Sequence, residues 1–353
     1  MKKKKLIREI GEFGLIERIK KQLAKGYKLP KSYRSIVVGI GDDAAVVETE
    51  PDKLLVATTD ILIEDIHFDL KTSPPYDLGW KLMAVNLSDI AAMGAVPRYG
   101  LIVLGLPVDT PVETVDKLIQ GALDLAKKFK VFLIGGDTVT SPDKLVVNLV
   151  VWGVVPKERV LKRSGARVGD KIMVTGTLGD SAAGLEILQS AGRLTKTDWA
   201  KELIKRHLRP YPRLKEAQLL GSRRLVHGLI DCSDGLALSL KFIGQGSKVG
   251  AKIWADKIPV SGALKRYSAI SRKAACSYAL YGGEDYELIF TVPRDKEKET
   301  IKSIKKISGT EVTSIGEIVP LKSGFTLVDD KGKVNKLKAG GYEHFSVSPK
   351  NKR

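Results

Sequence analysis

Two rhythms of apolar and polar positions run along this chain, and after a break near its middle the pattern begins again. In the first half, β-branched and apolar runs predict strands over 36–38, 44–48, 53–58, 99–106, 131–134 and 144–155. Helical periodicity predicts a short helix over 6–24, weakened by Gly11 and Gly14, and longer ones over 76–93 and 111–129, the last opened by Pro111. Residues 155–170 are polar and basic and hold Pro156, Gly165 and Gly169, which marks a domain boundary. Beyond it the sequence predicts a strand over 171–175, helices over 180–190, 198–205 and 212–220, a strand over 229–231 and a helix over 234–247. Segments 251–254, 274–280, 286–292, 295–307, 312–319 and 325–328 then alternate strand and helix. Both halves are α/β, and paired strands in the first favour mixed over strictly parallel sheets. The expected organisation is an N-terminal domain over 1–158, a C-terminal α/β domain over 159–345 and a basic tail over 346–353.

A length of 353 residues exceeds one ordinary core, and 43% hydrophobic with 28% charged residues is a globular balance. No apolar stretch approaches the ~20 residues of a membrane helix, and the start Met1-Lys2-Lys3-Lys4-Lys5 lacks the apolar core of a signal peptide. Cys232 and Cys276 have no metal-ligand spacing and form no disulfide framework, so the expected compartment is the cytoplasm. A formal net charge of +18 invites a nucleic-acid reading. The cations are spread along the chain, however, aromatics for base stacking are few, and a basic surface that attracts polyphosphates explains the same charge.

Carboxylates carry the candidate chemistry. They stand in short motifs beside apolar runs: Gly39-Ile40-Gly41-Asp42-Asp43, Thr58-Thr59-Asp60, Asn86-Leu87-Ser88-Asp89, Gly135-Gly136-Asp137 and Asp231-Cys232-Ser233-Asp234-Gly235. An unpaired acid at a buried strand end or helix face is expensive, and hard cations take oxygen ligands. Each motif also reads alone as a turn or a cap. Their conjunction points to one divalent-metal and phosphate site. Gly176-Thr177-Leu178-Gly179-Asp180 lies between strand and helix, where backbone N–H groups suit a phosphate, although Asp180 reads equally as an N-cap. No GxxxxGK[ST] loop and no protein-kinase motif set is present.

These motifs, with Arg163-Ser164-Gly165, residues 176–184 (GTLGDSAAG), 207–210 (HLRP) and 282–288 (GGEDYEL), occur in the order and near the spacing of the thiamine-monophosphate kinase family, which the chain resembles from Glu12 to Phe345. That family belongs to the aminoimidazole ribonucleotide synthetase-like superfamily. The resemblance implies an N-terminal domain whose strands pair into a dimer β-barrel, a C-terminal α/β domain, and ATP bound between them. By position it makes Asp43, Thr58, Thr59, Asp60, Asp89, Asp137 and Asp231 ligands of Mg²⁺, directly or through water, and Asp234 the holder of a further ion. Gly136, Asp137, Arg163 and Ser233 would contact ATP, and His67, Glu284 and Tyr342 the thiamine monophosphate. One local departure sits at Asp65, where the family has glycine two residues before the histidine of its His-Phe pair.

The implied reaction moves the γ-phosphoryl of ATP to a phosphate monoester whose second pKa is about 6, already mostly a nucleophilic anion at neutral pH. No strong general base is needed, which suits a chain with four histidines and no Ser-His or lysine-centred signature. Repulsion is the obstacle: two unit charges ~4 Å apart cost roughly 4 kcal/mol at an effective dielectric of 20, and several Mg²⁺ ions would remove it. Within the superfamily, a selenophosphate synthetase wants a reactive residue near the N-terminus and the hydrogenase-maturation relative a C-terminal cysteine, and this chain has neither. An aminoimidazole ribonucleotide synthetase-like ligase is the remaining alternative, and the GGEDYEL run favours the thiamine branch.

Overall fold

The computed structural model describes residues 36–38, 43–50, 52–190, 196–338 and 340–345. The expected helix over 6–24, residues Gly39 to Asp42 and the basic termini lie outside these. The first half forms β1 (Ile36–Val38), β2 (Ala45–Glu50), β3 (Lys53–Ile63), α1 (Pro75–Ala92), β4 (Val96–Leu106), α2 (Val112–Phe129), β5 (Phe132–Thr140) and β6 (Val146–Pro156). Its strands make one sheet in the order β1-β2-β3-β6-β4-β5, antiparallel except for the parallel β4–β5 pair. The class expected from sequence, α/β with mixed sheets, holds.

Two strands run further than their sequence predicts. β3 pairs with β6 along its whole length, from Lys53 opposite Pro156 to Ile63 opposite Val146, so Thr58, Thr59 and Asp60 lie within the strand and not at its end. β5 likewise continues through Gly135-Gly136-Asp137, because β4 supplies ladder partners up to Leu106 opposite Thr140. Glycine punctuates a strand only when no neighbour holds it in register.

The second half forms β7 (Lys171–Thr175), α3 (Asp180–Ser190), α4 (Asp198–Leu208), α5 (Leu214–Ser222), β8 (Gly228–Asp231), α6 (Leu236–Ser247), β9 (Val249–Trp254), α7 (Gly262–Ser271), α8 (Ala275–Tyr281), β10 (Leu288–Val292), α9 (Glu297–Ser308), β11 (Val312–Pro320), β12 (Phe325–Val328) and β13 (Val334–Lys336). Helix α7 and strand β13 are not predicted by the hydrophobic pattern. The sheet order is β13-β12-β9-β11-β7-β10-β8, with β12–β9 its parallel pair.

Residues of the central strands alternate between two cores. Met173, Leu229, Leu288 and Phe290 join a core that extends through α1 to Leu54, Val56, Leu149 and Val151 of the first sheet. Ile172, Val174, Ile230 and Ile289 face the other way, against Leu236, Leu240 and Ile243 of α6. Burial on both faces explains why these strands read as continuous apolar runs.

Helix α1 lies between the two sheets and is buried nearly all round. It crosses α2 at backbone contact. A Cβ at Gly79 would stand 1.8 Å from the carbonyl oxygen of Leu118, and one at Gly121 would stand 1.9 Å from that of Tyr76, so only glycine permits this crossing. The close packing fixes which of its polar residues point toward the second domain.

Candidate active site

Polar side chains of α1 tie it to every neighbouring element of the site. In its first turns Asp77 pairs with Arg209, and Trp80 Nε1 donates to the carbonyl of Pro210 at 2.9 Å, which docks the helix on the HLRP segment. Further on, Asn86 Oδ1 accepts from the backbone N–H of Asp60 at 3.1 Å. Ser88 Oγ donates to Asp231 Oδ2 at 2.6 Å, and Thr58 Oγ1 on β3 donates to Asp89 Oδ2 at 2.5 Å.

Carboxylate oxygens of Asp43, Asp89 and Asp231 lie within 4.8 Å of one another. They come from the segment before β2, from α1 and from the end of β8. Asp60 of β3 lies close enough to feel their charge. Burial, and then the charge of Asp43, push the Asp60 carboxyl up to about 6. Asp231 is pushed up to about 8 by burial and by Asp43, against the pull of the Ser88 hydroxyl and Arg163. Asp89 is raised well above the ordinary range by burial first and then by Asp60, Asp231 and Asp43, although the Thr58 hydroxyl opposes this. Arg163 forms an ion pair with Asp43 and lies over the Phe242 ring, 5.2 Å from its centroid. Enclosed, mutually repelling oxygen donors at this spacing fit a hard divalent cation, whose charge would reverse each of these shifts.

The first sheet divides the remaining expected ligands between its two faces. Thr58 and Asp60 point to the α1 side. Thr59 points away, where its hydroxyl accepts from Asn148 Nδ2 at 2.8 Å. Register carries that outer face across the sheet, from Ile61 to Asn148, Val103 and Asp137, so Asp137 is exposed beside Val103, two strands from Asn148, and apart from the cluster. Gly136, one residue earlier, is exposed and packs its backbone against that of Ile102, where a Cβ would stand 1.8 Å from the Ile102 carbonyl oxygen. Asp234 is held by backbone, its carbonyl accepting from Tyr342 N–H at 3.3 Å, and the Ser233 carbonyl accepts from Glu284 N–H at 2.5 Å.

A second group forms where residues 282–287 meet α1. Glu284 takes a left-handed backbone (φ 66°), with Oε1 2.6 Å from Lys81 Nζ and Oε2 3.3 Å from His207 Nδ1. Burial pushes its carboxyl up, but Lys81 and His207 outweigh that and hold it below the ordinary range. His207 is driven down to about 4 by burial and by Lys81, against the pull of Glu284, and is neutral at physiological pH. His67 Nδ1 accepts from Ile63 N–H at 3.0 Å, which assigns the proton of the neutral ring to Nε2, 3.3 Å from His344 Nε2. His344 Nδ1 is in turn 3.2 Å from the hydroxyl of Tyr342. The expected acceptor residues His67, Glu284 and Tyr342 thus share one neighbourhood. Asp65, the departure from the family pattern, has φ 65°, so aspartate holds the left-handed turn that glycine would occupy.

Sequence reasoning missed Lys81 and Asn148, and it placed His207 and Ser88 in motifs without giving either a role. Lys81 had one signal, a lone cation within the apolar stretch of α1. The loop over 176–180 is also not open to a phosphate, because Asp285 already accepts from Gly179 N–H at 2.6 Å and Ser181 N–H at 3.1 Å. Asp180 accepts instead from Thr177 at 2.7 Å and Ser261 at 2.6 Å.

Two domains around a buried acid cluster define the class. The N-terminal domain of the AIR synthase related proteins matches residues 41–155, and their C-terminal domain matches residues 167–329. Thiamine-monophosphate kinase of Escherichia coli (strain K12) is 40% identical over 338 residues, 96% of this chain and 99% of that protein. The enzyme of Bacillus subtilis (strain 168) is 36% identical, over 89% and 95%. A solved structure described as AaThiL complexed with AMPPCP and TMP has a TM-score of 0.83 at 35% identity, covering 98% of this chain and 100% of that one. Escherichia coli HypE, a hydrogenase maturation protein, shares the fold alone, with a TM-score of 0.68 at 23% identity over 81% and 85% of the chains. The chain belongs to the thiamine-monophosphate kinase family.

Proposed function

We propose that this chain phosphorylates thiamine monophosphate at the expense of ATP, giving thiamine diphosphate and ADP. The observation that carries the reading is the meeting of Asp43, Asp89 and Asp231 within 4.8 Å, an arrangement suited to polyphosphate chemistry with metal ions. Relatives of that name aligned over nearly the whole chain support it.

In the reaction an oxygen of the acceptor phosphate attacks the γ-phosphorus in line, the bond from that phosphorus to the β–γ bridging oxygen breaks, and ADP leaves with the electron pair. The acceptor is already ionised, so no side chain removes a proton. Asp43, Asp60, Asp89 and Asp231 would hold Mg²⁺, with Thr58 fixing Asp89 and Ser88 fixing Asp231. Bound there, Mg²⁺ supplies the positive charge that lets two polyanions approach. Arg163, tethered at Asp43, would add a cation toward the ATP phosphates, with Ser233 near the same strand end.

Glu284, His67 and Tyr342 would receive the acceptor. Thr59, Gly136 and Asp137 keep their proposed parts toward metal and ATP, and Asp234 toward a further ion. Thr59 and Asp137 would act from the outer face of the first sheet. That face and its edge strand β5 expose Tyr99, Phe132, Ile134 and Val139, which supports pairing of two copies through these strands. No helix among the described residues is long and apolar enough to cross a membrane, and both cysteines are free thiols, which fits the cytoplasm.

The test supplies γ-labelled ATP, Mg²⁺ and thiamine monophosphate. Label in thiamine diphosphate with matching ADP is expected. Label in inorganic phosphate alone overturns the reading in favour of a ligase of the same superfamily.

A further inference from the structure

One buried cation has no part in phosphoryl transfer. Lys81 projects from α1 and is 3% exposed, at a position where leucine or methionine would fill the same space without a desolvation cost. Its ammonium meets Glu284 Oε1 at 2.6 Å. Glu284 sits in a backbone conformation that a non-glycine residue keeps only when its surroundings impose it. Two further anchors follow it in the chain: Asp285 caps α3, and Glu287 accepts from Arg213 Nη2 at 2.5 Å and Nε at 2.6 Å. Each acid of the Glu284-Asp285-Tyr286-Glu287 segment is therefore held by a different set of partners, and Glu284, besides His207 of α4, meets a cation from the other domain.

We infer that Lys81 is the positioning residue for the acceptor: its ammonium aims the Glu284 carboxylate, with His207 as a second support, into the neighbourhood of His67 and Tyr342. The inference rests on the reading of Glu284 as an acceptor-binding residue. Lys81 lies two helical turns before Asp89 on α1, so the helix that contributes to the acid cluster also sets the acceptor's anchor. Loss of Lys81 disturbs the acceptor and spares the nucleotide.

The experiment compares the full chain with Lys81→Met, Lys81→Arg, Glu284→Gln and the Lys81→Met/Glu284→Gln double variant, measuring kcat, both KM values and the thermal midpoint. The KM for thiamine monophosphate rises roughly tenfold or more in Lys81→Met, while the KM for ATP stays within about twofold. Lys81→Arg, which keeps the charge, recovers most of the loss. The double variant is no worse than Glu284→Gln, because Lys81 acts only through that carboxylate. Equal rises in both KM values, or additive losses in the double variant, overturn the inference and leave Lys81 a packing residue. Should Lys81→Met fail to fold, the double variant, which leaves no lone charge, is compared with Glu284→Gln in its place: equal KM values for thiamine monophosphate support the inference, and a further rise overturns it. A wild-type chain that forms no thiamine diphosphate refutes the functional reading instead, independently of the variants.

Discussion

Ser88 Oγ donates a 2.6 Å hydrogen bond to Asp231 Oδ2, joining the helix of one domain to the strand end of the other. The bond aims a cluster acid across the boundary between the two sheets. The cluster therefore forms only when both domains are docked, and α1 is the element that docks them.

Ser88→Ala is expected to lower kcat/KM by roughly 10- to 100-fold, the usual loss when the partner orienting a ligand is removed. Folding stability falls by about 1–3 kcal/mol, because a buried acceptor loses its donor. Mg²⁺ dependence of the rate and denaturant melts measure both, and an unchanged rate would show that Asp231 needs no orientation.

Asp89→Asn and Asp60→Asn separate activity from stability. Each removes one of several repelling acids, so the metal-free thermal midpoint holds or rises, while turnover falls by roughly 100-fold or more. Melting in the presence of a chelator, set beside kcat, tests this. A loss of fold matching the loss of activity would count against a metal role.

Metal-free stability has a defined pH slope. Asp60 and Asp231 have folded pKa values raised to about 6 and about 8, so between pH 4 and 8 these two groups bind more protons in the native state than in the unfolded chain and their contribution to stability falls as pH rises. The increment contributed by Mg²⁺ grows over the same window. Thermal melts at pH 5 and 8 with and without Mg²⁺ check both signs.

His207 acts in the opposite sense. Its folded pKa of about 4 lies below the unfolded value near 6.5, so its contribution is complete above 6.5 and is lost as pH falls toward 4, by up to about 3 kcal/mol. The difference between wild type and His207→Gln in denaturant melts at pH 7 and 4.5 isolates it from the acids. No difference would mean that water reaches the ring.

Asp65→Gly is expected to change stability by no more than about 1 kcal/mol, since glycine relieves the left-handed backbone but loses an exposed ion pair with Lys144. Acceptor KM should not move. A rise would show that aspartate, rather than the turn itself, directs His67.

The extent of α1 was legible because its apolar periodicity continues on either side of Asn86, Ser88 and Asp89, and the conjunction of acid motifs pointed to one shared site, with the family resemblance naming Asp43, Asp60, Asp89 and Asp231 among its expected residues. The split between sheet faces was not. Whether Thr59 and Asp137 join the cluster depends on register across β3, β6, β4 and β5, which is a tertiary property. The phosphate reading of residues 176–180 failed for a related reason: Asp285 reaches that helix start from more than a hundred residues away. Lys81 was hidden because a lysine in a helix normally reads as a solvated face.

Proton release on metal binding tests the central claim most directly. Mg²⁺ must ionise acids that the metal-free protein keeps partly protonated, so calorimetric titrations at pH 7 in buffers of different ionisation enthalpy should report about one to two protons released per site, and fewer at pH 9. Asp231→Asn should release fewer still. Mg²⁺ binding with no proton released at pH 7, or with the same release in Asp231→Asn, would contradict a shared cation site at these carboxylates.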